Sequence, residues 1–204
     1  SVQMMTQNAQ DPLRAGPVDQ RPIEARADVL VYTSPVLARD LTAIGPLRMV
    51  LYAASSARDT DFVARLTDVD PAGRSRVLSE GILRGRYRRG LTATELLEPG
   101  QVDELRIELC PVCHVFRRGH RLRVDISSSN FPRFSRNLNT GEDIATGTRM
   151  LTARQTVLHS AAYPSHVVLP VIDGMTAPSQ LPACPSLRGQ QCRAYAAYTN
   201  TPAN

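Results

Sequence analysis

Apolar and polar residues alternate with a period of two through most of this chain, the spacing of half-buried β-strands. The clearest example is Arg121 to Ile126, where Leu122, Val124 and Ile126 alternate with Arg121, Arg123 and Asp125. It breaks into Ser127-Ser128-Ser129-Asn130 and then Phe131-Pro132, a hydroxyl-rich edge followed by a proline turn. Asp28–Ser34 reads as the first strand. Pro46–Ser55 sets Leu47, Met49 and Leu51 against Arg48, Val50 and Tyr52, and reads as a strand buried on both faces. Further strands are predicted over Asp61–Val69, Ser75–Leu83, Val102–Leu109, Leu122–Ser128, Ala153–His159 and His166–Val171.

Between these runs lie turn formers. Asp70-Pro71-Ala72-Gly73-Arg74 predicts a hairpin, because proline pre-sets φ and glycine accepts positive φ. Gly81, inside a strand pattern, predicts a bulge or bend. Asn137–Gly147 reads as loop. Thr92–Pro99 is the one short helix candidate, with Thr92 or Thr94 as its cap. Roughly eight short strands with turns between them predict an all-β fold, an antiparallel jelly-roll β-sandwich. The expected organisation is a linker or N-terminal arm over residues 1–27, the sandwich over 28–172, and an irregular tail over 173–204.

The chain has 204 residues, enough for one domain with tails, and 42% of them are hydrophobic. With tryptophan absent, Val, Leu and Ile must fill the core. The net charge is +5, and every basic side chain is arginine. A basic chain invites a nucleic-acid reading. The arginines of Leu83–Arg88 and Arg121–Val124 alternate with apolar residues, however, which predicts the solvent face of strands rather than a binding patch, and no nucleic-acid module is visible. No apolar run is long enough to span a membrane. The N-terminus lacks the basic-then-apolar order of a secretory signal. Cytoplasmic placement is the expectation.

Eight segments together resemble the C-terminal non-catalytic domain of X-prolyl dipeptidyl peptidases and cocaine-esterase-like (CocE/NonD) serine hydrolases. They are Gly16–Pro22, Asp28–Ser34, Asp59–Phe62, Glu80–Arg84, Val115–Arg121, Ser127–Pro132, Asn139–Gly141 and His166–Ile172. The resemblance implies a galactose-binding-like jelly roll, missing its first strands and exposing an edge, and a partner: the α/β-hydrolase catalytic domain of the parent enzyme, whose pocket it helps shape. Homo-oligomerisation is left open. The resemblance implies dipeptidyl-peptidase or esterase activity for the parent, none for this chain alone, and no cofactor. The alternative is a free-standing carbohydrate- or surface-binding module.

No catalytic residue is assigned. A nucleophile elbow needs G-x-S-x-G, so that serine sits on a strained strand-to-helix turn between small neighbours. Gly73-Arg74-Ser75-Arg76-Val77 lacks the second glycine and falls in a hairpin. Cys110, Cys113, Cys184 and Cys192 are weak metal candidates: four thiols suit structural zinc, with His114 and His120 as further donors, but the second pair is spaced C-x7-C. The resemblance places a short turn at the Cys110–Cys113 segment. Asp59 and Asp61 read as structural, Asp59 capping a turn and Asp61 pairing with an arginine. His159 and His166 have no nucleophile beside them. The arginines at 117, 118, 121 and 123 are expected to face carboxylates on adjacent strands or on the parent's catalytic domain.

Overall fold

The computed structural model describes residues 18–175. After a four-residue helix α1 (Arg21–Glu24) come strands β1 (Leu30–Thr33), β2 (Leu41–Ser55), β3 (Asp61–Val69) and β4 (Ser75–Arg84). A 3₁₀ turn (Gly85–Tyr87) leads to β5 (Asp103–Phe116) and β6 (Arg121–Ser127), followed by the short β7 (Gln155–Leu158), β8 (His166–Val168) and β9 (Val171–Ile172). One sheet has the order β1-β6-β3-β4. In the other, β2 pairs with β5 on one side and with β7, β8 and β9 in turn on the other. All pairings are antiparallel. The chain crosses between the sheets at β1–β2, β2–β3, β4–β5, β5–β6 and β6–β7, as a sandwich of this kind requires.

The inward rows meet as the alternation dictates. Leu47, Met49, Leu51 and Ala53 of β2, and Leu105, Ile107 and Leu109 of β5, face Phe62, Ala64 and Leu66 of β3 and Ile126 of β6. The Asp70–Arg74 hairpin closes as expected. Asp70 N–H donates to the Arg74 carbonyl at 3.0 Å, the Asp70 carboxylate accepts the Ala72 and Arg74 amides, and Gly73 has φ of 80°.

Several expectations are corrected. β2 is buried on one face only. Arg48 is exposed, and Val50 and Tyr52 are half-buried, because their neighbours across the ladder are Glu108, Arg106 and Glu104. The strand buried on both faces is β3, since α1 and the loop after β6 cover its outer side. The bulge expected at Gly81 occurs at Leu78, where the β3–β4 register shifts. Gly81 marks a close approach of the sheets instead: a Cβ there would lie 2.1 Å from the Glu108 carbonyl oxygen.

Thr92–Pro99 is not helical. Its backbone is claimed from outside: Arg88 donates to the carbonyls of Glu95 and Leu96, Glu95 N–H donates to the Arg86 carbonyl, and Leu97 N–H to the Arg58 carbonyl. Leu97 is thereby delivered into the core.

The Cys110–Cys113 segment is no turn but the middle of β5. The register shift there skips Cys110 and Pro111 against Pro46 alone, a bulge where missing proline N–H groups disturb no ladder bond. Cys110 and Cys113 are exposed free thiols. The region read as an arm is folded from Asp19 onward: Asp19 bridges to Arg76, Gln20 N–H donates to the Ser75 carbonyl at 2.7 Å, and the Gln20 side chain is fully buried. Cys184, Cys192 and nearly all of the 173–204 tail lie outside the described residues.

Candidate docking cleft

β1 forms one edge of its sheet, and all four of its residues are exposed. Beside that edge lies a cleft of about 640 Å³. One wall is the turn from α1 into β1, Arg26 to Leu30. A second is the end of β6, Ile126 to Ser129, with Phe131. The third is built from Arg136, Asn137, Asn139 and the approach to β7 at Thr152, Ala153, Gln155 and Val157. Phe62 and Arg65 of β3 also line it.

Apolar side chains are exposed around the cleft. Leu30 is 42% exposed, Tyr32 38% and Phe131 48%. Tyr32 reaches across to His159, just past β7, with ring centroids 5.8 Å apart and edge-on. Arg136 lies over the Phe131 ring at 5.7 Å and Arg133 over Phe134 at 5.5 Å. Two of the lining residues have a polar atom buried in the wall without a partner, the Ser127 hydroxyl and Gln155 Oε1.

The loop behind the cleft is fixed by two carboxylates. Asn137 Nδ2 donates to Asp59 at 3.0 Å and to Asp61 at 2.8 Å. Those carboxylates also take Arg86 (Nε to Asp59, 2.7 Å) and Arg84 (Nε to Asp61, 2.9 Å). Arg88 pairs with Asp103 at 3.0 Å and with Glu95 at 2.7 Å. Arg84, Arg86 and Arg88 therefore turn inward, against the expectation of a solvent face, because each meets a carboxylate from another part of the chain. The two-residue spacing of Asp59 and Asp61, matching that of Arg84 and Arg86, was the available signal. Asn139 takes positive φ (62°), which asparagine tolerates, and donates to the Leu151 carbonyl.

The outer face of the β1-β6-β3-β4 sheet holds a buried polar layer beneath α1. Arg65 donates to Glu80 (3.4 Å) and to Asn130 (3.3 Å), and Arg123 pairs with Glu24 of α1. Asp125 stands in the same layer with neither oxygen hydrogen-bonded. Burial, reinforced by the charge of Glu24, pushes its carboxyl up to about 7 despite the opposing charges of Arg65 and Arg123.

The other singled-out residues lie apart from the cleft. Asp68 accepts from His114 (3.1 Å) and His120 (2.9 Å). His166 contacts the Pro164 carbonyl at 2.6 Å. Arg117 pairs with Asp40, and Arg121 donates to the Ser34 carbonyl. Ser75 Oγ donates to Thr67 inside the hairpin, 2.8 Å away and with no histidine partner. No group of three or more His, Cys, Asp or Glu able to hold a metal occurs among the described residues.

Residues 3–168 match the sequence profile of the X-Pro dipeptidyl-peptidase C-terminal non-catalytic domain. The chain belongs to that family. It is similar to cocaine esterase of Rhodococcus sp. (strain MB1 Bresler), 45% identical over 159 residues that make up 77% of this chain and 28% of the esterase. Among solved structures it is similar to an aminopeptidase from a marine sediment archaeon, Thaumarchaeota archaeon (TM-score 0.76, 33% identity, 82% of this chain and 30% of that one). It is also similar to an α-amino acid ester hydrolase (TM-score 0.74, 32% identity, 76% and 27%). The chain thus spans less than a third of each of these relatives.

Proposed function

We propose that this family member packs through its cleft face on the catalytic domain of a larger serine hydrolase and helps shape the surroundings of that enzyme's pocket. The observation that carries the reading is the cleft itself: an open gap at the β1 edge, with the side chains of Leu30, Tyr32 and Phe131 exposed around it. Apolar side chains exposed around a cleft are the kind of surface that a partner covers. The outer face of β2 and β5 carries Arg48–Glu108 and Arg106–Glu104 pairs, with Val168 of β8 exposed opposite Arg48.

The parent chemistry is acyl transfer through a serine nucleophile, a histidine base and its orienting carboxylate. None of that trio belongs to this domain, and its contribution is positional. The 45% identity to an esterase favours ester substrates for the parent over prolyl peptides. A galactose-binding-like carbohydrate role has less support, since the aromatic residues lining the cleft are Phe62, which is buried, and Phe131, which has Arg136 over its ring.

The test exchanges the matched 159 residues of the Rhodococcus cocaine esterase for those of this chain. The exchanged enzyme is expected to keep ester turnover, while the purified chain alone shows none. An inactive exchange, or turnover by the chain alone, contradicts the reading.

A further inference from the structure

We propose that the cleft seats an acidic side chain, carried on an apolar-flanked loop of the hydrolase portion of the parent enzyme. This rests on the packing reading above and names the chemistry of the partner.

The cleft's own charge points to it. Its lining holds three guanidinium groups, of Arg26, Arg65 and Arg136, against a single carboxylate, Asp28. Arg26 is spent on Asp28 (2.8 and 2.6 Å) and Arg65 on Glu80. Arg136 has no carboxylate partner among the described residues; it lies over Phe131, held at the mouth. Arginine in such a position is a planar donor awaiting an acceptor.

The rest of the wall brings no competing charge: Ser127, Ser128, Asn139 and Gln155 are polar and neutral. Leu30 and Phe131 at the rim match apolar neighbours of the acid. The occupant has a source: 72% of the cocaine esterase length lies outside the match, as the complement of the 28% covered.

The experiment places a benzophenone amino acid at Ser128, on the cleft wall, in the exchanged cocaine esterase. Cross-links are expected outside the exchanged residues, beside an Asp or Glu, and Arg136→Glu is expected to lower their yield roughly tenfold. Cross-links confined to the exchanged domain, or landing on a segment without a carboxylate, in an enzyme that still turns over ester, overturn the proposal and leave the packing reading standing. Failure of the packing reading shows separately, as loss of that turnover.

A second measurement does not depend on the exchange folding. The isotope-labelled chain is titrated with acetyl-Leu-Asp-Leu-amide and with its Asn counterpart. Amide signals of Ser127, Ser128, Arg136 and Gln155 are expected to move with the Asp peptide, and roughly tenfold less with the Asn peptide or in Arg136→Gln. Equal or absent movement overturns the proposal, as does movement of the same signals with galactose instead.

Discussion

Asp125 stands directly opposite Arg65 across the β3–β6 ladder, yet no hydrogen bond joins them. The Arg65 guanidinium turns toward Glu80 and Asn130. Asp125 is left as a buried acid beneath α1, next to the charge of Glu24. A carboxyl in that position lowers its cost by keeping its proton.

Stability should therefore fall as pH rises. The folded carboxyl titrates at about 7, against 3.8 for the ordinary group. The proton held by the folded state stabilises it fully at about pH 4 and below, and that contribution is lost as pH rises to 7. The difference corresponds to an order of 4 kcal/mol. Asp125→Asn is expected to flatten this part of the profile and to be more stable than the parent at pH 8. Urea denaturation of both proteins at pH 5 and pH 8 checks it; parallel profiles would refute the assignment.

Asp68 behaves in the opposite sense. Burial pushes its carboxyl up, but hydrogen bonds from His114 and His120 more than offset this and hold it below the ordinary range. Its contribution is present above about pH 4 and is lost as pH falls through the lowered value. Asp68→Asn is expected to be destabilised at pH 6 and to show a shallower loss between pH 5 and pH 3. Acid titration followed by circular dichroism measures both.

Asn137 ties the loop behind the cleft to Asp59 and Asp61. Asn137→Ala removes a donor from two buried carboxylates and is expected to cost about 1–3 kcal/mol. Asn137→Asp is expected to cost more, because it adds a third carboxylate in place of the shared donor. The order Asn, Ala, Asp in denaturation midpoints is the check; an Asp variant as stable as the parent would contradict it.

Gly81→Ala tests the contact between the sheets. Its Cβ would meet the Glu108 carbonyl at 2.1 Å, and backbone on both sides leaves no flexible atom to yield. The expected loss is about 3 kcal/mol or more. Gly73→Ala serves as the comparison: nothing lies within 4 Å of its Cβ, so only the strain of a φ of 80° applies. A Gly81 variant as stable as that control would mean the sheets do not approach this closely.

The strands were legible because period two survives in the residues that face the core. Leu47, Met49 and Leu51, or Leu122, Val124 and Ile126, announce themselves without any partner. The Asp70–Arg74 hairpin was legible for the same local reason. What could not be read depends on distant partners. The inward turn of Arg84, Arg86 and Arg88 needs Asp61, Asp59 and Asp103. The loss of the helix at Thr92–Pro99 needs Arg88 to take its carbonyls. The bulge at Cys110–Pro111 needs Pro46 on the facing strand. Ser127 and Ser128 were visible as a strand edge, but only the fold sets them beside Gln155 and Arg136 to make a cleft.

The most direct test of a docking role is hydrogen exchange, comparing the isolated chain with the same residues placed in the cocaine esterase. Protection is expected to rise at Leu30–Thr33 and Ser127–Arg136, and to stay unchanged on the outer face of β5, from Glu104 to Glu108. Protection gained at Glu104–Glu108 instead, or at neither place, would contradict docking through the cleft.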